Sequence, residues 1–352
     1  MNRRQMNQAG FIHPSGRWNP LLVALLLTCA VTFRASAGEF PEVMLHIREY
    51  AGDDKKSRDP AFVKALADAR SWQSVLSRKP HLYRNVGGFD ESILKDKELK
   101  ALVKIVRDNK LRMAVETGGL RFVNAAAFDD QGGERQARKE LKKLRRWKEA
   151  GGWIDDITTD HAIMHHIAMN HRNKEFRVQK TVPLPEDKKH LKFTWEGLYS
   201  ELMDYFLEVE KEFPGCSFGV VSSLGYFTQS DEAGVKYGSG GGLPAWEFSD
   251  YVDGLQAAAK RKGVTLTHVD IDSSYTAAWL HAIKNKKEGI DVGPIAMAIR
   301  TIQSRGLKAG LFYQGSVNWK FLKRNLPDVK EDDSFDTCKK RMQEFVEALH
   351  KA

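Results

Sequence analysis

VTLTHVDIDSSY, residues Val264–Tyr275, is the stretch that decides how the rest of the chain is interpreted. It follows a helix-like segment that ends at Gly263, and it alternates with the side-chain period of two that a strand has. One face would carry Leu266, His268, Asp270 and Asp272, and the other Thr267, Val269 and Ile271. An imidazole and two carboxylates would then point the same way near the C-terminal end of a strand, where α/β proteins build their sites. The alternative is a strand whose polar residues bind only neighbours inside a barrel.

Short apolar runs alternate with amphipathic helical segments along the chain. Strands are predicted at Val43–Ile47, His81–Val86, Leu111–Glu116, Trp153–Thr159, Ser217–Ser222, Val264–Tyr275 and Leu307–Tyr313. Helices are predicted at Pro60–Leu76, Glu91–Asn109, Glu134–Ala150, Trp195–Phe213, Trp246–Lys262, Pro294–Arg305 and Phe335–His350. Seven βα units in a row favour an α/β fold of the (β/α)8 TIM-like barrel type over a doubly wound sheet. An eighth strand would have to lie in Ser316–Leu326; otherwise the barrel is incomplete or seven-stranded.

The N-terminus has the order of an export signal. Arg3, Arg4 and Arg17 precede the apolar run Leu21–Val31, which Ala35-Ser36-Ala37 follows. We therefore predict a signal peptide over residues 1–37, one barrel domain over 38–352, and a secreted or periplasmic protein. The apolar run is too short to span a bilayer comfortably, so no stable membrane span is expected after cleavage, although an uncleaved anchor is the alternative.

Charge and cysteine content narrow the function classes. The 352 residues carry a net charge of +9, but 4 of the 55 basic and none of the 46 acidic residues lie in the first 37 positions, which leaves +5 for the remainder. So small an excess predicts no nucleic-acid partner. Cys29 would leave with the signal, and Cys216 and Cys338 either pair or stay as two unpaired thiols.

Three long βα loops follow predicted strands on one side of the barrel: Arg121–Gly133, His161–Lys192 and Thr228–Pro244. Long loops on that side form the substrate clefts of barrel enzymes. The third loop contains a glycine-rich run at 238–242 that lacks the residues of a P-loop, so a lid or spacer is expected there.

Carboxylates end three of the predicted strands, namely Glu116, Asp160, and the pair Asp270 and Asp272. Paired carboxylates suit glycoside hydrolysis, in which one acts as an acid and the other as a base or nucleophile. The alternative is that they are structural partners of Arg48, Arg84 or Arg121. His46 and Arg48 would share a face at the end of the first strand, where they could bind sugar hydroxyls or form an ion pair.

Histidines follow the fourth predicted strand at positions 161, 165, 166 and 171. A zinc motif of the HExxH type would need Glu where Ala162 stands, so neither a metal nor another cofactor is predicted. A solvated or sugar-binding loop is expected instead. Aromatic side chains near the glycine-rich loop, including Tyr226, could stack on sugar rings.

The segments GGWIDDITTDHAI, FGVVSSLGYF, THVDIDSSY and LKAGLFYQG resemble secreted bacterial barrels of the glycoside-hydrolase superfamily over roughly residues 42–314. The resemblance implies a TIM barrel that acts on oligo- or polysaccharide. Retaining members end their fourth and seventh strands in glutamate. This chain instead has Asp160 followed by His161 at the fourth and Tyr313-Gln314-Gly315 at the seventh, so that mechanism is not expected.

The sequence thus predicts an exported carbohydrate-active barrel, a hydrolase with Asp160 as general acid and Asp272 or Asp270 as base. Glu116 would bind substrate or tune the pair. The expected substrate-binding residues are His46, Arg48, His161, Tyr226, His268, Tyr275, Tyr313 and Gln314. Two alternatives remain, a catalytically inert sugar-binding barrel and a metal-dependent sugar isomerase or epimerase that uses Glu116, Asp160, His268 and Asp270.

Overall fold

A computed structural model describes twelve segments of the chain. They are residues 31–35, 42–47, 81–122, 131–163, 195–227, 229–230, 236–237, 247–272, 278–279, 282–283, 289–313 and 335–352. None of the helices in these segments has the length and apolar character that crossing a bilayer would need.

One sheet organises the fold. Its strands are β1 (Val31–Ala35), β2 (Glu42–Ile47), β3 (His81–Asn85), β4 (Met113–Thr117), β5 (Asp156–Asp160), β6 (Ser217–Ser222), β9 (Leu266–Asp272) and β10 (Lys308–Tyr313). From β2 to β10 the order is β2-β3-β4-β5-β6-β9-β10 with parallel neighbours throughout, while β1 pairs antiparallel with both β2 and β10 and closes the sheet. A small antiparallel pair, β7 (Gln229–Ser230) and β8 (Lys236–Tyr237), lies outside it.

The six strands whose side chains are described, β3-β4-β5-β6-β9-β10, form a curled arc. Tyr83 on β3 and Phe312 on β10 lie at opposite ends of this arc, yet their rings meet edge to face with centroids 5.2 Å apart. Side chains from the two end strands can touch only if the sheet curls around them. This α/β arc is consistent with an incomplete TIM-like barrel.

Six α-helices lie in the described segments. They are α1 (Asp96–Asp108), α2 (Gly132–Glu149), α3 (Trp195–Glu212), α4 (Phe248–Lys262), α5 (Gly293–Gln303) and α6 (Phe335–Lys351). Each of the first five turns an apolar stripe toward the sheet, as an amphipathic helix does. The α4 helix ends where Gly263 takes a left-handed φ of 72°, and this is the stop that the sequence predicts.

The two faces of the strands have different contents. The outward face carries apolar residues that pack under the helices, such as Val115, Ile157, Val220, Val269 and Ile271. The inward face carries a small apolar cluster, Tyr83, Ala114, Val221 and Phe312, together with polar side chains. The main core therefore lies between the sheet and the helices. The interior of the arc contains polar groups beside the small apolar cluster.

All seven predicted strands are confirmed as strands β2–β6, β9 and β10, with small shifts of their ends. The prediction that Leu266 shares a face with His268, Asp270 and Asp272 is wrong. Phe218 pairs with Leu266 and Gly219 with His268, so Thr267 is an extra residue in a β-bulge. The bulge turns Leu266 to the outer core, while His268, Asp270 and Asp272 keep the common inward face.

The sheet contains an eighth strand that the sequence did not predict. Ser316–Leu326 lies outside the described residues, as does the predicted helix Pro60–Leu76, and the strand that closes the sheet is β1. Its five residues fall inside the predicted signal peptide. If the signal peptide is cleaved after Ala37, β1 is removed with it and cannot close the sheet of the mature chain.

We expect the exported protein to begin at Gly38, because basic, apolar and small residues follow one another in the order that signal peptidases require. The mature sheet would then consist of seven parallel strands with β2 and β10 as its edges. The intact mass of the exported protein measures the cleavage site. A mature chain that still contains Val31–Ala35 would contradict this prediction and would keep β1 in the sheet.

Cys216, the residue directly before β6, is a buried free thiol. Burial, with a smaller contribution from Asp156, raises the pKa of this thiol to about 12. Because the thiolate is the reactive form, we expect Cys216 to resist alkylation at pH 8 in the folded protein and to react once urea unfolds it. Mass spectrometry of the Cys338→Ser variant measures this, and rapid labelling without urea would contradict it.

Candidate functional site

The candidate site lies at the C-terminal ends of the parallel strands, where two carboxylates flank one imidazole. Asp160 ends β5, His161 follows it, and Asp272 ends β9. Asp160 Oδ1 forms a short hydrogen bond with His161 Nδ1, and His161 Nε2 lies 3.8 Å from Asp272 Oδ2. The side chains are 19%, 10% and 33% exposed for Asp160, His161 and Asp272. The group is accessible yet shielded, which suits acid–base chemistry.

Strand order explains how the two carboxylates are spaced. β5 and β9 are separated by β6, so Asp160 and Asp272 come from strands that are not neighbours. In register, Asp160 pairs with Val221 on β6, and Val221 pairs with Asp270 on β9. The imidazole of His161 fills the interval at the mouth and contacts both carboxylates.

The backbone of His161 is unusual. Its φ is 49°, in the left-handed region that non-glycine residues rarely adopt, and its N–H donates to the Val221 carbonyl at 2.9 Å. Such a conformation costs of order 1–3 kcal/mol and persists where the surroundings hold it. Here the β6 backbone and the Asp160 carboxylate hold it, and the imidazole lies between Asp160 and Asp272.

A second polar layer lies deeper inside the arc. His268 is 1% exposed, Asp270 0% and Asp156 4%. Thr158 Oγ1 lies 3.0 Å from His268 Nε2, and Ser217 Oγ donates to Asp156 Oδ2 at 2.7 Å. His268 was expected to bind substrate, but its burial places it beneath the mouth, where it contacts the protein.

Glu116 lies at the end of β4, next to Asn85 and Thr158 in register. Asn85 Nδ2 donates to Glu116 Oε1 at 3.0 Å. Because Glu116 pairs with Thr158, and Thr158 and Asp160 are two residues apart on β5, Glu116 lies on the same face of the sheet as Asp160. The described contacts tie Glu116 to β3, whereas Asp160 and Asp272 are joined through His161.

Arg84, one suggested partner for the carboxylates, contacts other groups. It donates to the Gly88 carbonyl at 2.5 Å, and its guanidinium lies 5.1 Å from the centroid of the Phe89 ring. Phe89 belongs to the outer core, so this arginine lies on the side of β3 that faces away from the mouth. Burial lowers the pKa of Arg84 to about 9.

Behind Glu116, a buried carboxylate holds the turn that follows β4. Glu140 on α2 accepts hydrogen bonds from the Gly118 N–H and from Gln136 Nε2, each at 3.1 Å, and from the Tyr205 hydroxyl on α3. Burial raises the pKa of Glu140, and these donors partly offset that rise. Sequence reasoning missed this group, because Glu140 stands in the highly charged helical run ARKELKKLRR.

The remaining predicted site residues fall into two groups. Arg48, Tyr275 and Gln314 lie outside the described residues, as do His165, His166, His171 and the glycine-rich run. His46 pairs with Tyr83 in the β2–β3 register, Tyr226 belongs to a 3-10 turn after β6, and Tyr313 ends β10. The roles of these residues stay predictions.

The described segments contain no candidate metal site. Within the described segments, no three or more His, Cys, Asp or Glu side chains are arranged to hold a metal ion. Of the four residues in the isomerase alternative, His268 and Asp270 are buried in the lower layer while Asp160 contacts His161 at the mouth. The four are therefore split between two levels.

The described geometry supports an α/β fold with a curled parallel sheet, consistent with an incomplete TIM-like barrel. Barrels of this architecture carry many unrelated activities, so the fold alone assigns no reaction. A comparison of the sequence with protein-family models and with curated proteins finds no match in either.

Proposed function

We propose that this protein is an exported glycoside hydrolase in which Asp160 and Asp272 perform acid–base catalysis at the barrel mouth. One observation carries the proposal: two carboxylates on strands that are not adjacent flank a single, strained imidazole. Two carboxylates on either side of a scissile bond are what glycosidic cleavage needs.

The spacing favours inversion of the anomeric centre. Inverting enzymes hold their carboxyl groups roughly 6.5–9.5 Å apart to admit a water, and retaining enzymes hold them at about 5–5.5 Å. Because an imidazole ring lies between Asp160 and Asp272, the two carboxyl groups are kept apart. A water beside Asp272 could attack the anomeric carbon from the face opposite the leaving group.

The Asp160–His161 pair supplies the acid. Asp160 in its protonated form, with Oδ1 hydrogen-bonded to His161 Nδ1, gives its proton to the glycosidic oxygen as the bond from that oxygen to the anomeric carbon breaks. Asp272 takes a proton from the attacking water, whose oxygen bonds to that carbon. The products are two sugars with free hydroxyl groups. Asp272 returns its proton to solvent and Asp160 takes one from solvent, which restores the starting state. Glu116 would orient the sugar, and His46, Arg48, Tyr226, Tyr275, Tyr313 and Gln314 would contact it.

The test is a screen of the purified protein against oligo- and polysaccharides, with new reducing ends as the readout and NMR of the first product anomer to identify the stereochemistry. Cleavage with inversion supports the proposal. Sugar binding without cleavage would favour the inert sugar-binding barrel. Activity that chelation with EDTA abolishes and a divalent cation restores would favour the metal-dependent alternative.

A further inference from the structure

The buried imidazole of His268 faces a hydroxyl oxygen at each of its two ring nitrogens. Nε2 lies 3.0 Å from Thr158 Oγ1 on β5, and Nδ1 lies 2.8 Å from Thr267 Oγ1 beside it on β9. A neutral imidazole has one N–H and one bare nitrogen, so it would donate to one hydroxyl and accept from the other. Which nitrogens carry protons depends on where the hydroxyl protons go.

Both hydroxyl protons are already used. Thr158 Oγ1 donates to Asp156 Oδ1 at 3.0 Å, and Thr267 Oγ1 donates to the Phe218 carbonyl at 3.1 Å. A threonine hydroxyl has a single proton, and neither a carboxylate nor a carbonyl oxygen can return one. With the hydroxyls donating in this way, each of them accepts from the ring, and both nitrogens of His268 then carry a proton.

The charges around the ring fit an imidazolium. Asp156 Oδ2 lies 3.7 Å from Nδ1, and Asp270 Oδ2 lies 3.9 Å from Nε2. A positive charge beside buried carboxyl groups stabilises their ionised form. Lys308 on the neighbouring strand β10 pairs with His268 in register and is a second cationic residue near these carboxyl groups. The polar neighbour on β6, Ser217, donates to Asp156 and carries no charge.

The ring also crosses a strand. His268 on β9 reaches Thr158 on β5 although β6 lies between them, and it passes over Gly219. A Cβ at Gly219 would lie 1.9 Å from His268 Nε2, so only glycine leaves room for the ring. The two strands that the imidazole joins are those that end in Asp160 and Asp272.

We propose that His268 is a buried imidazolium that acts as a positioning residue, tying β9 to β5 over Gly219 and so fixing the spacing of Asp160, His161 and Asp272. The spacing part of this inference rests on the proposed function, whereas the charge of the ring does not. His268 touches no substrate in this arrangement. It acts through the strands that carry the mouth residues.

Long-range ¹H–¹⁵N NMR of the histidine rings in the full chain tests the charge. The His268 ring is identified by its loss in His268→Gln or, should that variant not fold, by its through-space contact with Gly219. We expect both of its nitrogens to stay protonated at pH 8, above the ordinary histidine pKa of about 6.5. An unprotonated ring nitrogen at pH 7 would overturn the inference, whatever the protein's activity.

Thr158→Val and Thr158→Ser test the positioning. Valine removes the oxygen that receives Nε2–H at nearly constant volume, and serine retains it. We expect Thr158→Val to shift the His161 ring signals. Where glycan is cleaved, we expect this variant also to lower kcat by about 10²-fold with little change in KM. Thr158→Ser should show the wild-type ring signals and the wild-type kcat. If His161 signals in the folded Val variant match the wild type, positioning is refuted. If the signals shift but the wild type cleaves no glycan, the inference stands and the proposed function fails.

Discussion

Replacing Asp160 with Asn is expected to slow glycan cleavage by about 10²–10⁴-fold, the usual contribution of general acid or base catalysis. Asparagine keeps the size of the side chain but has no acidic proton to give to the glycosidic oxygen. The loss should shrink for substrates with good leaving groups, because these need little protonation. Asp272→Asn should cause a loss of similar size. This loss should not depend on the leaving group, because Asp272 takes a proton from the attacking water and does not act on the leaving group.

The measurement is kcat/KM for a natural glycan and for an aryl glycoside with a low-pKa leaving group. Asp250→Asn is the matched control, since Asp250 is exposed in the first turn of α4. It should retain wild-type activity. If Asp160→Asn and Asp272→Asn both cleave glycan at the wild-type rate while they fold and bind sugar normally, the catalytic assignment is wrong.

The sequence predicted the inward face of β9 because period-two alternation survives from His268 to Asp272. It failed at Leu266 because the bulge at Thr267 adds one residue, and a bulge has no signature in the residue types around it. The alternation of Asp156, Thr158 and Asp160 on β5 is equally visible in the sequence. The predicted strand begins at Trp153, three positions before the first residue of β5, so its start does not mark this alternation.

The candidate site was predictable only in part. Carboxylates at strand ends pointed to the mouth, because parallel strands deliver their C-terminal residues to one edge. The bridging role of His161 was hidden, since it depends on a left-handed backbone that the sequence does not reveal. The charge of His268 depends on Thr158, 110 positions away, and on where each hydroxyl proton goes.

The contact between α2 and α3 gives the largest expected effect on stability. Gly133, in the first turn of α2, lies against the α3 backbone, and a Cβ there would be 1.9 Å from the Glu201 carbonyl oxygen and 3.0 Å from the Tyr205 nitrogen. The Gly133 N–H also donates to Glu201 Oε2 at 2.9 Å. The atoms in the way are helix backbone, so no side-chain rotation can relieve the overlap.

Gly133→Ala should therefore destabilise the protein by about 3 kcal/mol or more, at or above the upper end of the usual cost of overpacking. The displaced helices would also move Tyr205 and Glu140, which hold the turn behind Glu116. Urea unfolding followed by circular dichroism measures the change as a lower midpoint at constant slope. Gly225→Ala is the control, because the nearest atom to a Cβ there is Ser223 Oγ at 3.6 Å, and its effect should stay within about 1 kcal/mol. An unchanged midpoint for Gly133→Ala would mean that the first turn of α2 can unwind from α3 without cost, and that the α2–α3 contact does not hold the barrel wall beside Glu116.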